Sequence, residues 1–282
     1  MCSSGNAPPK ALATLEGRPP PPKKSLGQNF LVDTRVRARI LAAADLTPDD
    51  VVLEIGPGRG FLTRGLAARV GRVVAVEIDR DLTKRLSEAF DDQPQVTVIE
   101  ADAREVDIDT LVPVGKPYKV VANLPYYAAS PIIRRFLEAE HKPTVMVVML
   151  QREVARTMCA TPGKMSMLSV ATQVYGKPRV ICSVPPRAFK PQPKITSSVV
   201  RIDVYDEPMV PMDPPEQFFA VVRAGFSTPR KQIRNSLAVG LGIPPTESEV
   251  ILSEAGVDPR RRAQTLTLDE WSSLFTGAAH AE

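Results

Sequence analysis

Short apolar segments alternate with helix-like segments from residue 51 to about residue 159 of this chain. The apolar segments are strand-sized, rich in valine and isoleucine, and bounded by glycine or charged residues, which is typical of buried strands. Such alternation predicts an α/β fold with a doubly wound, mostly parallel sheet that binds ligands at the carboxyl ends of its strands. The strands are predicted at residues 51–55, 73–78, 96–99, 118–122 and 145–150, with later strands at 170–175, 179–184 and 197–204.

A glycine-rich turn follows the first predicted strand. Gly56, Gly58 and Gly60 alternate with other residues, and Phe61 comes next. A dinucleotide-binding turn would have glycine at position 61, where close helix–strand packing helps pyrophosphate to sit on the helix N-terminus. The turn therefore favours a ligand that lacks phosphates and lies close to bare backbone.

Acidic residues stand at the ends of the next two predicted strands. Glu77 lies 21 residues after Gly56, where a carboxylate can accept hydrogen bonds from both ribose hydroxyls. Asp102 comes just beyond the third strand and can reach an adenine amino group. A site that binds a ribose and an adenine but no phosphate indicates S-adenosylmethionine as the cofactor.

The tetrad Asn123-Leu124-Pro125-Tyr126 follows the fourth predicted strand. Asn123 offers an amide oxygen, while Pro125 restricts Leu124 to extended backbone angles and leaves the Leu124 carbonyl free as a second acceptor. Tyr126 supplies an aromatic face on which a base can stack. Two acceptors above a ring describe a pocket for the N6 amine of adenine. The alternative is an Asn-initiated turn between a strand and a helix.

Histidine and cysteine are scarce in this chain. It has two histidines, and its three cysteines, at positions 2, 159 and 182, lack C-x-x-C spacing. We therefore expect neither a metal site nor a histidine base. The apolar stretch at residues 145–150 is too short to span a membrane, so we expect no membrane partner.

The two ends of the chain differ in composition from its middle. Residues 1–23 are basic and proline-rich and lack the apolar region of a secretory signal, which predicts a disordered arm. Residues 24–207 are predicted to form the cofactor-binding catalytic domain. Residues 208–282 are predicted to form a small helical domain, in which Phe218, Phe219, Val222 and Phe226 share one helical face.

The formal charge of +4 permits a nucleic-acid partner without requiring one. In the C-terminal region the positive charges are concentrated in two clusters, which suit phosphate contacts that position a substrate without reading its bases. The alternative is a solvated helix face. The clusters consist of Arg230, Lys231 and Arg234, and of Arg260, Arg261 and Arg262.

Several ordered motifs resemble those of the ribosomal RNA adenine N6,N6-dimethyltransferase family, and most closely its bacterial small-subunit (16S) branch. The resemblance covers roughly residues 23–275. Its motifs are KSLGQNFL at 24–31, GPGRG at 56–60, NLPY at 123–126, QREVA at 151–155, FKPQPK at 189–194 and FSTPRKQIRNSL at 226–237. The chain departs from the family pattern at residues 195–197 and 228–231 and has a shortened segment after Gly163.

The resemblance implies roles for individual residues. Phe189 would stack on the target adenine opposite Tyr126. The S-adenosylmethionine site would be lined by Asn29, Leu31, Gly56, Glu77, Asp102 and Asn123, to which the glycine turn adds Gly58.

The resemblance also implies a substrate: two adjacent adenosines in a hairpin loop near the 3′ end of 16S rRNA, in the small subunit or its 30S precursor. A cytoplasmic monomer is expected. The alternatives are a 23S rRNA methylase of the macrolide-resistance type, a DNA adenine methylase, and a largely non-catalytic ribosome-assembly factor.

Overall fold

A computed structural model describes residues 20–279 of the 282-residue chain. The arm predicted at residues 1–23 therefore lies outside the described residues as far as residue 19. None of the helices between residues 20 and 279 has the length and apolarity that a membrane crossing requires.

Seven strands form one large sheet, and two short strands pair separately. The order in the large sheet is β4-β3-β2-β5-β6-β9-β7. The first five are parallel, whereas β9 runs antiparallel to both β6 and β7. The predicted doubly wound, mostly parallel α/β fold is therefore confirmed. The strands are β1 Phe30–Leu31, β2 Val51–Ile55, β3 Arg72–Glu77, β4 Val96–Glu100, β5 Lys119–Asn123, β6 Val145–Gln151, β7 Gly176–Val184, β8 Phe189–Lys190 and β9 Ser197–Val204.

Helices cover both faces of the sheet because successive residues of its central strands point to opposite sides and are apolar on both. On one face Val52, Val73 and Val121 pack with residues of α1 and α2. On the other face Leu53 and Val120 pack with residues of α5, α7 and the C-terminal helices. The helices are α1 Thr34–Ala43, α2 Thr63–Ala67, α3 Arg80–Ala89, α4 Ile108–Leu111, α5 Ala129–Glu138, α6 Arg152–Met158, α7 Met167–Gln173, α8 Pro215–Gly225, α9 Ile233–Leu241, α10 Pro245–Glu254 and α11 Leu268–Ala279.

The strand predicted at residues 170–175 is wrong, because this segment largely belongs to helix α7. Ser166 caps the helix in a capping box with Ser169, whose hydroxyl also donates to the Thr157 carbonyl at 2.6 Å. Val170 and Val174, one helical turn apart, are both buried. A short β-branched run fits either a strand or a buried helix, and here the cap decides.

The C-terminal region is helical, as expected. Phe218, Phe219 and Val222 are buried on one face of α8. They belong to the same apolar cluster as Tyr175 in the preceding segment, and the Tyr175 and Phe219 rings lie 6.3 Å apart. The C-terminal helices thus share a core with the sheet, and the division at residue 208 stays a prediction.

Candidate active site

A cavity opens at the carboxyl ends of β2, β3 and β5. Strands β3 and β5 flank β2, so the direction of the strand order reverses here, which is where doubly wound sheets bind ligands. The structure brings most of the predicted residues together in its lining: Asn29, Gly56, Gly58, Glu77, Asp102, Asn123, Leu124, Pro125, Tyr126 and Phe189. Leu31 is the exception, because its buried side chain packs in the apolar cluster beneath β1.

The glycine turn approaches the cavity closely. Gly56 and Gly58 have φ angles of +68° and +58°, which favour glycine. A Cβ atom on Gly58 would lie 3.0 Å from the Phe30 ring. A larger residue would therefore crowd the Phe30 ring, which also lines the cavity.

Glu77 closes the turn from the neighbouring strand. Its side chain accepts hydrogen bonds from the backbone N–H groups of Gly58 and Asp79, each at 3.0 Å. Burial raises the pKa of Glu77 although both hydrogen bonds oppose the rise. A carboxylate has about four lone-pair sites, so the remaining ones can accept from two hydroxyls of a ribose.

Glu54 is a buried acid beneath the same turn, 1% exposed. Among the described residues neither of its carboxyl oxygens has a hydrogen-bond partner, and the same holds for the Thr63 hydroxyl. Burial raises the pKa of Glu54 to about 8, and nearby Thr63 moderates the rise. The side chain is therefore mainly protonated at pH 7, which spares the core a buried charge.

The variant Glu54→Gln is expected to become progressively more stable than the natural chain as the pH rises. The folded pKa of about 8 exceeds the ordinary value of 4.5, so the unfolded chain releases this proton first. The residue's contribution to the free energy of unfolding therefore falls from pH 4.5 to 8, at most ~1.4 kcal/mol per pH unit, and then levels off. Urea unfolding of both proteins at pH 5, 7 and 9 measures the difference. An equal difference at all three pH values would contradict the assignment.

Asp102 is held by a residue that the sequence analysis missed. The Arg104 guanidinium contacts both oxygens of Asp102, with Nη2–Oδ2 at 2.5 Å and Nε–Oδ1 at 3.0 Å. The Arg104 side chain keeps the pKa of Asp102 below its usual value. Asp102 is consequently an ionised acceptor at the cavity wall. The two-residue spacing between Asp102 and Arg104 was the sequence signal that could have predicted this pair.

The side-chain amide of Asn123 has a defined orientation. Its Nδ2 donates to the Asn29 carbonyl at 3.1 Å. Because a carbonyl only accepts, the amide nitrogen must face Asn29, and Oδ1 remains as an acceptor for a ligand. Buried Leu124 follows directly, and its backbone N–H donates to the Met149 carbonyl at 3.3 Å.

The lining also includes the two aromatic residues that the sequence analysis proposed to stack on adenine. The Tyr126 hydroxyl lies 2.7 Å from the Ser197 hydroxyl at the start of β9, which fixes the ring, and burial raises the pKa of Tyr126. Phe189 pairs with Leu31 between β8 and β1 and is 1% exposed. A base can therefore reach Phe189 only from the cavity side, whereas Tyr126 is half-buried.

The predicted basic clusters are only partly free for a partner. Arg261 forms a two-pronged ion pair with Glu270, with Nη2–Oε2 at 3.0 Å, and so stabilises the fold. Arg234 pairs with Glu249, and Arg260 with Asp258. Within residues 20–279, Arg230, Lys231 and Arg262 are exposed and form no ion pair.

The cavity fits an adenosine-containing methyl donor without phosphates. The turn leaves room for close backbone contact, and two carboxylates stand at successive strand ends. With this sheet order, the fold and the cavity define an S-adenosylmethionine-dependent methyltransferase of the Rossmann-like class. Residues 22–280 match the family described as ribosomal RNA adenine dimethylase, and the chain belongs to that family. Residues 20–279 contain no cluster of three or more His, Cys, Asp or Glu placed to hold a metal.

Similar proteins support this assignment. A protein of Dehalococcoides mccartyi named ribosomal RNA small subunit methyltransferase A is 42% identical over 265 residues, which cover 94% of this chain and 91% of that protein. A protein of the same name from Pelotomaculum thermopropionicum is 45% identical, covering 90% of each chain. The crystal structure of the 23S rRNA methyltransferase ErmE is 32% identical with a TM-score of 0.70, covering 88% of this chain and 99% of that one. A dimethyladenosine transferase from Plasmodium falciparum shares the fold, with a TM-score of 0.74 and 21% sequence identity. The match covers 87% of this chain and 95% of that one.

Proposed function

We propose that this enzyme dimethylates N6 of two adjacent adenosines in a hairpin loop near the 3′ end of 16S rRNA, within the small subunit or its 30S precursor. It acts as a monomer in the cytoplasm. The observation that carries the chemistry is the hydrogen bond from Asn123 Nδ2 to the Asn29 carbonyl, which leaves the Asn123 side-chain oxygen free to accept from a ligand. The substrate rests on the small-subunit relatives, which are 42–45% identical, against 32% for the 23S enzyme.

In this proposal the strand ends bind the methyl donor. Glu77 accepts the ribose hydroxyls, ionised Asp102 accepts the adenine amino group, and Gly56, Gly58 and Asn29 line the remainder, with Leu31 supporting them from beneath. Bound S-adenosylmethionine supplies an electrophilic methyl group that needs no further activation. The work left to the protein is therefore chiefly positioning.

The tetrad makes the adenine N6 a better nucleophile. The N6 lone pair is delocalised into the ring, which makes the nitrogen a poor nucleophile. Hydrogen bonds from its two N–H groups to the Asn123 oxygen and the Leu124 carbonyl favour an out-of-plane nitrogen and so the transition state. After the first transfer one N–H remains, so the second transfer proceeds with one of the two acceptors. Surplus protons leave to water.

The aromatic residues hold the base outside its RNA stack. Tyr126, braced by Ser197, stacks on one side of the adenine, and Phe189 contacts it from the other side. Each stacking contact contributes on the order of 1–3 kcal/mol. Pro125 keeps the turn between them stiff.

RNA contact is assigned to the C-terminal helical domain, residues 208–282, and the methyl transfer to residues 24–207. Exposed Arg230 and Lys231 and the neighbouring Arg234 touch phosphates, as do Arg260 and Arg262 of the second cluster. Arg261 contributes indirectly, because its ion pair with Glu270 anchors the segment that carries Arg260 and Arg262.

The double variant Arg230→Ala, Lys231→Ala is expected to lower the slope of log affinity against log salt for the 30S subunit by about two, since each lost phosphate contact removes roughly one unit. Binding titrations at several salt concentrations measure this slope. Arg72→Ala, at an exposed position that begins β3 and lies outside both basic clusters, serves as the control and should leave the slope unchanged. An unaltered slope in the double variant would remove this cluster from the interface.

The substrate is tested with labelled S-adenosylmethionine and three acceptors: unmethylated 30S subunits, unmethylated 50S subunits and DNA. The proposal expects label in 16S rRNA, recovered as N6,N6-dimethyladenosine. Label confined to 23S rRNA would favour the alternative that the ErmE likeness suggests, and label confined to DNA would also overturn the proposal. Tight 30S binding without transfer would indicate an assembly factor.

A further inference from the structure

The segment before α1 forms one wall of the active-site cavity. This segment, residues 23–31, is called the strap here, and its residues 26–30 all line the cavity. It begins with a single 3-10 turn, Lys24–Leu26, and ends in the short strand β1. The strap thus lies against both the methyl-donor site and the tetrad.

Gln28 attaches the strap to the first turn of α3. Its Nε2 donates to Oδ2 of Asp79 at 2.7 Å, and its Oε1 accepts from the Lys23 backbone N–H at 2.8 Å. The Asp79 side chain is 2% exposed, and its other oxygen caps α3 by accepting from the Asp81 N–H. Both ends of the Gln28 amide are therefore fixed by partners that are themselves fixed.

Lys23 adds a second, weaker attachment. Its ammonium lies 2.6 Å from Asp79 and 2.8 Å from Asp81. The Lys23 side chain is 41% exposed and Asp81 is more exposed still, so water screens the Lys23–Asp81 pair. The contacts that Gln28 and Lys23 make with Asp79 are both partly buried, and of the two side chains only the Gln28 amide is held at both of its ends.

The next residue of the strap controls the Asn123 amide. The Asn29 carbonyl accepts the hydrogen bond from Asn123 Nδ2. If this carbonyl moved away, the amide could turn over and present its nitrogen, a donor, to the donor N6 of adenine. The orientation of Asn123 therefore depends on where the strap holds Asn29.

We propose that Gln28 is a positioning residue for methyl transfer. By holding the strap to Asp79 it fixes the Asn29 carbonyl, and through it the Asn123 oxygen, in the orientation that adenine N6 requires. This inference rests on the role proposed above for Asn123. The same strap also lines the methyl-donor site, so one segment contributes to both the methyl-donor site and the adenine site.

The variant Gln28→Glu tests this with almost no change of shape. It places a carboxylate oxygen against Oδ2 of Asp79, at the 2.7 Å separation now bridged by a proton. We expect kcat at saturating S-adenosylmethionine and 30S to fall about tenfold to a hundredfold, the cost of one partly buried charge-assisted hydrogen bond. A strap that only covers the methyl donor would raise the KM for S-adenosylmethionine and leave kcat unchanged.

Adding Asp79→Asn to Gln28→Glu exchanges donor and acceptor across the same contact. The new amide keeps its oxygen as the α3 cap and donates from its nitrogen to the new carboxylate. We expect this double variant to recover kcat to within a few-fold of the natural chain. The matched control Asp81→Asn removes only an exposed pairing with Lys23 and should change kcat less than twofold.

A second readout does not depend on RNA. NMR spectra of the ¹⁵N-labelled protein bound to S-adenosylmethionine contain the side-chain amide signals of Asn123, which are identified by their loss in Asn123→Ala. These signals should shift in Gln28→Glu and return to their natural positions in the double variant. A natural kcat in Gln28→Glu, or a loss that the double variant does not repair, would overturn the inference. If the natural protein transferred no methyl to 30S, the proposed substrate would fail, while the amide signals would still test the strap.

Discussion

Glu77→Gln is expected to weaken S-adenosylmethionine binding about a hundredfold. Each oxygen of Glu77 accepts a backbone N–H, one from Gly58 and one from Asp79, both at 3.0 Å. An amide nitrogen at either position would face a donor, so the glycine turn must shift and the ribose loses a charged acceptor. Hydrogen bonds to charged groups contribute about 1.5–3 kcal/mol each, which gives this magnitude. Calorimetric titration of both proteins with S-adenosylmethionine measures the change.

The matched control for this prediction is Glu100→Gln. Glu100 lies beside Glu77 in register at the end of β4, is exposed, and does not line the cavity. The same chemical change should there leave the Kd for the methyl donor within a factor of two. Equal Kd values for Glu77→Gln and the natural chain would remove Glu77 from the binding site.

Asn123→Ala is expected to lower the single-turnover rate of methyl transfer about 10²- to 10³-fold, the cost of losing one placed transition-state hydrogen bond. The alanine leaves N6 with the Leu124 carbonyl alone and also frees the Asn29 carbonyl, which now accepts from Asn123 at 3.1 Å. Quench-flow experiments with labelled S-adenosylmethionine at saturation and excess enzyme over 30S measure this rate.

Two measurements on the same Asn123→Ala preparation separate chemistry from folding. Asn123 is half-buried at the end of β5, so the free energy of unfolding should change little compared with the loss of rate. The Kd for S-adenosylmethionine should rise less than the rate falls. A natural rate in a folded protein would show that the amide oxygen does not act on N6.

The sheet was predictable because its strands are separate apolar runs with distinct boundaries. Residues 51–55 and 197–204 form strands over the predicted ranges. Residues 170–175 were mispredicted because β-branched residues at helical spacing look the same as a strand over so short a run, and only Ser166 with Ser169 marks the helix start. The local sequence pattern therefore predicts the strands, except where a helix cap outside the apolar run determines that the run is helical.

The candidate site was predictable to the extent that strand ends determine it. Parallel strands bring their carboxyl ends to one edge, so Gly56, Glu77, Asp102 and Asn123 had to converge once the strand order was known. Leu31 carries no such constraint, and its place beside the cavity rather than in its lining follows from the pairing of β1 with β8.

Contacts between distant residues were not predictable. Gln28 and Asp79 are 51 positions apart and carry no complementary pattern that one sequence reveals. The same holds for the basic clusters, where composition could not tell that Arg261 is bound by Glu270 while Arg230 is free of ion pairs within the described chain. Side-chain partners across the fold require coordinates.

The most direct test of the account is the structure of the protein with a non-reactive analogue of S-adenosylmethionine that carries an amine in place of the methyl sulfonium. The account predicts the ribose on Glu77, the adenine beside Asp102, and the amine directed toward Asn123 and Tyr126, about 3–3.5 Å from where N6 must sit. An analogue bound with its amine turned away from Asn123, or outside the cavity, would contradict it.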